Sequence, residues 1–243
     1  MRMRSLVAAA LLCCVIGVDA LAQNQPASTV RTLLATGRIG SVVDTPLYFR
    51  LLSVQPTAGQ SASYSGPDTM LYVLAGRLES EVAGAAQPVI AGGGGFIPTG
   101  RAARFSASEP AKFLLFVLSP DADFRKPLVG PPVAVEELYR SPEPLPGLQP
   151  GPYEFSLTRV SLPPNMPANP PHYRSGAVLY YVDGGTGLLI ADGKTEPKPP
   201  GSPHFERAGW VHQWANPGDA HVLLIQANIS QEGVPAVISV GAK

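Results

Sequence analysis

The sequence predicts an all-β protein built from two similar domains. Strand-length apolar runs are separated throughout by the 25 glycines and 27 prolines, a pattern typical of β-sandwiches and β-barrels. The second half repeats turn residues of the first half at a constant offset of 109 positions. After removal of a predicted leader about 220 residues remain, which is enough for one large domain or two small ones.

Residues 1–22 are predicted to be a secretory signal peptide rather than part of the fold. A basic start, MRMR, is followed by the apolar run 6–18, which is too short to span a bilayer, and by an Ala-Leu-Ala cleavage pattern at 20–22. A lipoprotein anchor at Cys13 or Cys14 is the disfavoured alternative, because the Leu-Leu pair before them makes a poor lipobox. We therefore expect an exported protein, either periplasmic or extracellular.

The composition of the mature chain argues against several classes of function. Cys13 and Cys14 are the only cysteines, so the mature chain has no disulfide, no thiolate nucleophile and no sulfur ligand for a metal. Loss of residues 1–22 leaves 16 basic and 17 acidic residues. This balance gives no electrostatic reason to expect nucleic acid or an anionic membrane as a partner, and no later apolar stretch is long enough for a transmembrane helix. The expected partner is a small-molecule ligand.

Six apolar or alternating runs have the length of strands and lie on both sides of a proline-rich linker. They cover residues 47–54, 70–74, 113–118, 155–160, 178–182 and 221–227. Residues 141–152 are too rich in proline for helix or sheet, and they separate an N-terminal domain at 23–140 from a C-terminal domain at 153–243. Residues 133–140 are predicted to form a short helix before this linker. An Asp-Gly pair at 192–193 predicts a hairpin turn.

The repeat has a constant register in its central part, where residues 71–76 correspond to residues 180–185. The matched turn residues that follow are Gly84 and Gly193, Pro88 and Pro197, Gly92 and Gly201, and Gly100 and Gly209. Apolar residues upstream match at an offset of 106, so the second copy has about three extra residues, which we place in the proline-rich stretch 163–171. The matched glycines indicate two copies of one structural unit.

The segment 201–216, GSPHFERAGWVHQWAN, carries the most specific motif of the chain. Its skeleton, G-x5-R-x-G-x2-H-x3-N, resembles the second conserved motif of the cupin family, with Arg207 in place of a proline. Copy one has Gly92, Pro98 and Gly100 in the same register. The resemblance implies two antiparallel jelly-roll (cupin) barrels in tandem after the signal peptide, a bicupin, with a degenerate N-terminal barrel. The edges of such barrels offer a contact for a homodimer.

The resemblance also implies a metal site, in the C-terminal barrel only. In the family's first motif, G-x5-H-x-H-x3-4-E-x6-G, two histidines and a glutamate join the histidine of the second motif around one metal. In copy two, His172 and His212 occupy two of these positions, while Arg174 and Val178 replace the other histidine and the glutamate. His204 is a candidate third imidazole. Such a set suits one divalent transition metal, Fe, Mn, Ni, Cu or Zn; the alternative is that no metal binds.

Copy one lacks every ligand of the motif. The four positions are filled by Ser63, Ser65, Thr69 and Ala103. All four histidines of the chain lie in copy two. Glu206, which precedes the second motif as His204 does, is a further acid that could turn toward the barrel mouth.

Strand alternation predicts which side chains line the pocket. If His212 points inward, Trp210 and Trp214 do so too, and the same alternation directs Tyr180 inward. These aromatic residues either line a ligand pocket or fill the core of the barrel. Arg174 either binds a carboxylate, sulfate or phosphate of the ligand, or it pairs with an acid of the protein or lies in water at the rim. Arg174, Tyr180, Trp210 and Trp214 are therefore the predicted substrate-binding residues.

Two functions are compatible with this site. The first is a metal-dependent enzyme of the dioxygenase or isomerase type that acts on a small anionic or aromatic compound, with no catalytic residue assigned. The second is a non-catalytic cupin that binds a carboxylate or a sugar without a metal. In both, the N-terminal barrel is a structural partner of the C-terminal one.

Overall fold

The computed structural model describes residues 28–40 and 46–241. The predicted signal peptide lies outside these residues. The described part of the chain is all-β, with one short 3-10 turn at Asp121–Asp123. Within it, no helix has the length and apolar character needed to cross a membrane.

The described residues form nineteen strands. In chain order they are β1 (Val30–Ile39), β2 (Leu47–Gln55), β3 (Ser61–Tyr64), β4 (Thr69–Ala75), β5 (Arg77–Val82), β6 (Ala85–Ile90), β7 (Gly94–Ile97), β8 (Ala103–Ser106), β9 (Lys112–Pro120), β10 (Ala134–Arg140), β11 (Tyr153–Leu162), β12 (His172–Arg174), β13 (Ala177–Gly184), β14 (Gly187–Ala191), β15 (Lys194–Lys198), β16 (Pro203–Glu206), β17 (His212–Ala215), β18 (Val222–Gln231) and β19 (Val237–Ser239).

These strands make four sheets that face each other in two pairs. The N-terminal unit contains the sheets β10-β2-β9-β4-β7 and β3-β8-β5-β6, and the C-terminal unit contains β1-β11-β18-β13-β16 and β15-β14-β17-β12-β19. Each pair encloses its own buried cluster, around Phe105 and Phe113 in the N-terminal unit and around Tyr180 and Trp214 in the C-terminal unit. The two units therefore share one strand order, apart from β19.

The turn residues confirm the internal repeat at the level of the backbone. Asp192 and Gly193 have φ values of 51° and 72°, and Ala83 and Gly84 have φ values of 52° and 84°. Two consecutive positive φ values are characteristic of the type I′ hairpin turn, so the predicted Asp-Gly turn is confirmed and has a counterpart between β5 and β6. The other glycine pairs at the offset of 109 also have positive φ, namely Gly76 and Gly185, Gly92 and Gly201, and Gly100 and Gly209.

The first and the tenth strand occupy equivalent edges of the two units. β10 runs antiparallel to β2, and β1 runs antiparallel to β11 from Val30 opposite Ser161 to Ile39 opposite Tyr153. Residues 30–39 thus complete the C-terminal unit, although they precede the N-terminal unit in sequence. The short helix predicted at 133–140 is wrong, because pairing with β2 outweighs the helical propensity of AVEELYR.

The two units pack against each other through their five-stranded sheets β10-β2-β9-β4-β7 and β1-β11-β18-β13-β16. Leu51 and Phe116 of the N-terminal unit share one apolar cluster with Leu179 and Ile225 of the C-terminal unit. Side chains alternate along a strand, so the neighbours of Leu179 and Ile225 point away from this interface. The interior of the C-terminal unit is therefore lined by the alternate set of residues on β13, β16 and β18.

Candidate functional site

Four strands of the C-terminal unit bring the predicted site residues together. His172 on β12 lies directly opposite His212 on β17. On the facing sheet, His204 and Glu206 of β16 lie opposite Tyr180 and Val178 of β13, respectively. Because His204 and Glu206 are two residues apart on a strand, they share the interior face.

A buried ion pair lies at the centre of this interior. The Arg174 and Glu206 side chains are 2% and 0% exposed, and Nε of Arg174 lies 3.2 Å from Oε2 of Glu206. Arg174 also donates to the hydroxyl of Tyr180, and Nε1 of Trp214 donates to Oε1 of Glu206 over 3.1 Å. Burial raises the pKa of Glu206, but His212 and Arg174 together outweigh it and lower that pKa to about 2. Glu206 is consequently a carboxylate.

Backbone carbonyls fix the orientation of two imidazoles. Nδ1 of His172 lies 3.0 Å from the carbonyl oxygen of Pro170, and Nδ1 of His212 lies 3.0 Å from that of Trp210. A carbonyl oxygen only accepts, so each Nδ1 carries the proton. The two rings are 4.4 Å apart between centroids, and Nε2 of each ring is buried without a hydrogen-bond partner.

One contact of His212 is close but poorly aligned. Its Nε2 lies 3.1 Å from Oε1 of Glu206, yet this pair does not meet the angular requirements of a hydrogen bond. A second proton on His212 would make the contact attractive, and without it a lone pair faces the carboxylate. His212 is thus an imidazole of the site whose Nε2 faces the carboxylate of Glu206.

His172 and His204 are neutral imidazoles at pH 7. Burial is the main cause that lowers the pKa of His172 to about 4, and it likewise lowers the pKa of His204 to about 4. A neutral imidazole offers one N–H donor and one lone pair. Nε2 of His204 is also buried without a hydrogen-bond partner.

A cleft opens beside this interior at the hairpin of β14 and β15. It has a volume of about 240 Å³ and is lined by Leu189, Ala191, Asp192, Lys194, Glu196, His204 and Trp210. Nε1 of Trp210 donates to Oδ2 of Asp192 over 3.0 Å. The indole ring also stacks on His212, with 5.5 Å between centroids and an interplanar angle of 25°. Trp210 therefore lines the cleft and also contacts the buried imidazole of His212.

The predicted residues divide into two groups in the structure. The buried group consists of His172, Arg174, Tyr180, His212 and Trp214. His204 and Trp210 form the second group, at the cleft. Tyr180 and Trp214 point inward as strand alternation predicts. Of the interpretations of Arg174, the structure shows the salt bridge to an acid of the protein.

Sequence reasoning names Glu206 as an acid that could turn toward the barrel mouth, but not as a predicted site residue. Glu206 lies across from Val178, the position where the first cupin motif has its glutamate. The structure thus has an acid on the strand next to that position, which a linear motif does not reveal. Two further polar residues of the interior, Gln226 and Asn228, are buried on β18, and Arg31 of β1 donates to Gln226 over 3.1 Å. The signal that could have found them is the polar alternation of QANISQ at 226–231.

The donor groups fit a metal ion only in part. The Nδ1 atoms of His172 and His212 are held by backbone carbonyl oxygens, which is the arrangement of metal-binding histidines that coordinate through Nε2. The carboxylate of Glu206 is already paired with Arg174. Within residues 28–40 and 46–241, no group of three or more His, Cys, Asp or Glu residues is arranged to hold a metal ion.

The comparisons with known proteins show the fold. No family model and no curated protein sequence matches this chain. Oxalate decarboxylase from Bacillus subtilis, in a structure concerned with its Mn(II) centres, superposes with a TM-score of 0.56 at 12% identity, covering 88% of this chain and 81% of that one. The same enzyme at pH 4.6 gives 0.55 and 13%, covering 90% and 81%. This chain therefore has a cupin fold of the β-barrel type, and the predicted all-β class is confirmed.

Proposed function

We propose that this protein is an exported bicupin whose C-terminal barrel binds a small organic molecule beside the cluster of His172, His204 and His212. The predicted signal sequence, the repeat and the shared strand order of the two units support this proposal. The likeness to oxalate decarboxylase over most of both chains supports two barrels in tandem.

The observation that carries the proposal is the concentration of buried polar groups in one unit. Nε2 atoms of three imidazoles lack partners there, and a cleft reaches one member of the cluster, His204, beside Trp210. Buried polar groups without partners are rare in folded proteins and call for a functional explanation. A ligand that hydrogen-bonds to the imidazoles supplies the missing partners.

The buried Arg174 favours binding without a metal. Its guanidinium already supplies a permanent positive charge beside Glu206, the carboxylate that contacts His212. A divalent cation at His172 and His212 would add two positive charges to an interior that holds one negative charge. Such a surplus of charge in a low-dielectric interior is unfavourable unless an anion enters with the metal.

A ligand screen by thermal unfolding tests the proposal. We expect at least one compound from a panel of sugars, polyols and carboxylates to raise the melting temperature of the protein, since ligands that bind only the native state stabilise it. The shift should disappear in His204→Ala, because His204 lines the cleft, and it should be smaller in His172→Ala. The matched control is His221→Ala, since His221 lies outside the cluster and contacts Ser161. A shift that survives both cluster variants would contradict the proposal.

A metal-dependent enzyme is the second candidate, favoured by the fixed orientation of His172 and His212. These two residues would hold the ion, which would act as a Lewis acid on a small anionic compound. Metal analysis after incubation with Mn, Fe, Ni, Cu and Zn separates the candidates. Binding of about one equivalent that is lost in His212→Ala and kept in His221→Ala supports the enzyme. Less than about one tenth of an equivalent supports metal-independent binding.

A further inference from the structure

We infer that the ligand of this site is a neutral hydroxylated ring, a sugar or cyclic polyol, bound in the cleft against Trp210 and His204. This inference rests on the proposed binding function and names its ligand class. It decides between the two classes, carboxylate and sugar, that the sequence leaves open.

The dimensions of the cleft limit the ligand to about one ring. Its volume of about 240 Å³ lies below the range of roughly 300–1,000 Å³ that is usual for drug-sized ligands. Leu189, Ala191, Lys194, Glu196 and His204 line the cleft from β14, β15 and β16, whereas Asp192 and Trp210 lie in the turns that adjoin these strands. A single six-membered ring is the kind of molecule that such a space accommodates.

Trp210 supplies a flat apolar surface in a fixed position. The bond to Asp192 and the stacking on His212 hold the indole from two sides. Aromatic side chains with a satisfied polar end are rigid contact surfaces with a small entropic cost of binding. The C–H face of a sugar ring is flat and apolar, and it matches the face of an indole.

The polar groups around the cleft suit hydroxyls better than carboxylates. Asp192 and Glu196 are acceptors, and neutral His204 offers both a donor and a lone pair. A hydroxyl both donates and accepts, so it can pair with all three groups. A carboxylate ligand only accepts, and it would meet two like charges at the rim.

Arg174, the cation predicted to bind an anionic ligand, is already paired with groups of the protein. Arg174 is 2% exposed and pairs with Glu206 and Tyr180. Glu196, which lines the cleft, pairs with Lys198 at 2.8 Å. Lys194 lines the cleft as well, but two carboxylates line it with Lys194, so the rim has no excess of positive charge.

Isothermal titration calorimetry against two matched panels tests the inference. The neutral panel is D-glucose, D-galactose, D-mannose and myo-inositol, and the anionic panel is oxalate, succinate and benzoate. We expect binding of at least one neutral compound and of no anion at pH 7. Trp210→Ala should weaken the binding about tenfold or more through loss of the stacking surface, and Trp210→Phe should weaken it less.

The control variant is Arg101→Ala. Arg101 precedes Trp210 by 109 positions and lines a pocket of the N-terminal unit, so this variant should bind the sugar as the wild type does. Sugar binding that Trp210→Ala leaves unchanged would overturn the inferred site. Binding of anions but not of neutral rings would overturn the ligand class and leave the proposed binding function standing. If neither panel gives a heat of binding, the result would count against both the inferred ligand class and the proposed binding function.

Discussion

The two units share a scaffold but differ in what they enclose. In the N-terminal unit, Thr69 on β4 lies between Ile97 on β7 and Val117 on β9. At the equivalent place in the C-terminal unit, Val178 lies between Glu206 and Asn228. On the same backbone pairing, the two flanking residues are thus apolar in the N-terminal unit and polar in the C-terminal unit.

The positions of the histidine pair also differ in chemistry between the two units. Tyr64 lies opposite Ala103 in the N-terminal unit, where His172 lies opposite His212 in the C-terminal unit. The predicted counterpart of His172 was Ser63, and the register of β3 corrects this by one residue. Strand pairing and turn glycines determine the scaffold, so interior residues can change without changing the fold. This comparison can be tested by exchanging residues between the units.

The variant Glu206→Ile gives the C-terminal interior the same residue type that the N-terminal unit has at the equivalent position, Ile97. We expect the largest effect on stability from this variant. The variant leaves Arg174, which is 2% exposed, without its counter-ion. Removal of one partner of a buried pair costs about 3–5 kcal/mol in the free energy of unfolding. Urea denaturation measures this loss. A loss below about 1 kcal/mol would mean that the pair is solvated.

The double variant Arg174→Met with Glu206→Ile should recover most of that stability. Replacing both members of a buried ion pair by apolar residues of similar volume is often neutral or stabilising. We expect a free energy of unfolding within about 1–2 kcal/mol of the wild type, because Tyr180 and Trp214 each lose one partner. A double variant as unstable as Glu206→Ile alone would show that the apolar interior does not fit the C-terminal unit.

The pH dependence of unfolding should differ between the units, since all four histidines belong to the second half. His172 and His204 have folded pKa values of about 4, below the value of about 6.5 in unfolded chains. Their contribution to stability is therefore complete above pH 6.5 and is lost as the pH falls toward 4. Glu206, with a pKa of about 2, adds a further loss below about pH 4.5.

Thermal unfolding between pH 8 and pH 3 measures this dependence. His172→Gln should reduce the decline between pH 6.5 and pH 4, whereas His221→Gln should leave it unchanged. An equal decline in the wild type and in His172→Gln would contradict the assigned burial of His172.

Asp192→Ala should have the smallest effect. It gives the C-terminal hairpin the residue of its counterpart, Ala83, which has nearly the same φ of 52°. The exposed hydrogen bond to Trp210 is lost, so we expect a loss of about 0.5–1.5 kcal/mol. The tryptophan fluorescence of the folded protein should report a more mobile indole. An unchanged emission spectrum would show that Asp192 does not hold Trp210.

The sequence predicts the fold further than it predicts the site. Glycines with positive φ, such as Gly193, are local signals that survive in the linear sequence. The strand β1 precedes the N-terminal unit in sequence but belongs to the C-terminal sheet because it pairs with β11. No local pattern of the sequence encodes this pairing. For the same reason the motif identified His172 and His212 but not Glu206, whose place in the site follows from its cross-strand pairing with Val178.

Side-chain nitrogen NMR tests the central claim most directly, because the chain contains only four histidines and two tryptophans. Titration of the ¹⁵N-labelled protein at pH 7 with the tightest-binding neutral ring should shift the resonances of His204 and Trp210, with smaller shifts at His172 and His212. The His221 resonance should stay in place. Shifts confined to His221, or backbone shifts confined to the N-terminal unit, would contradict a binding site in the C-terminal unit.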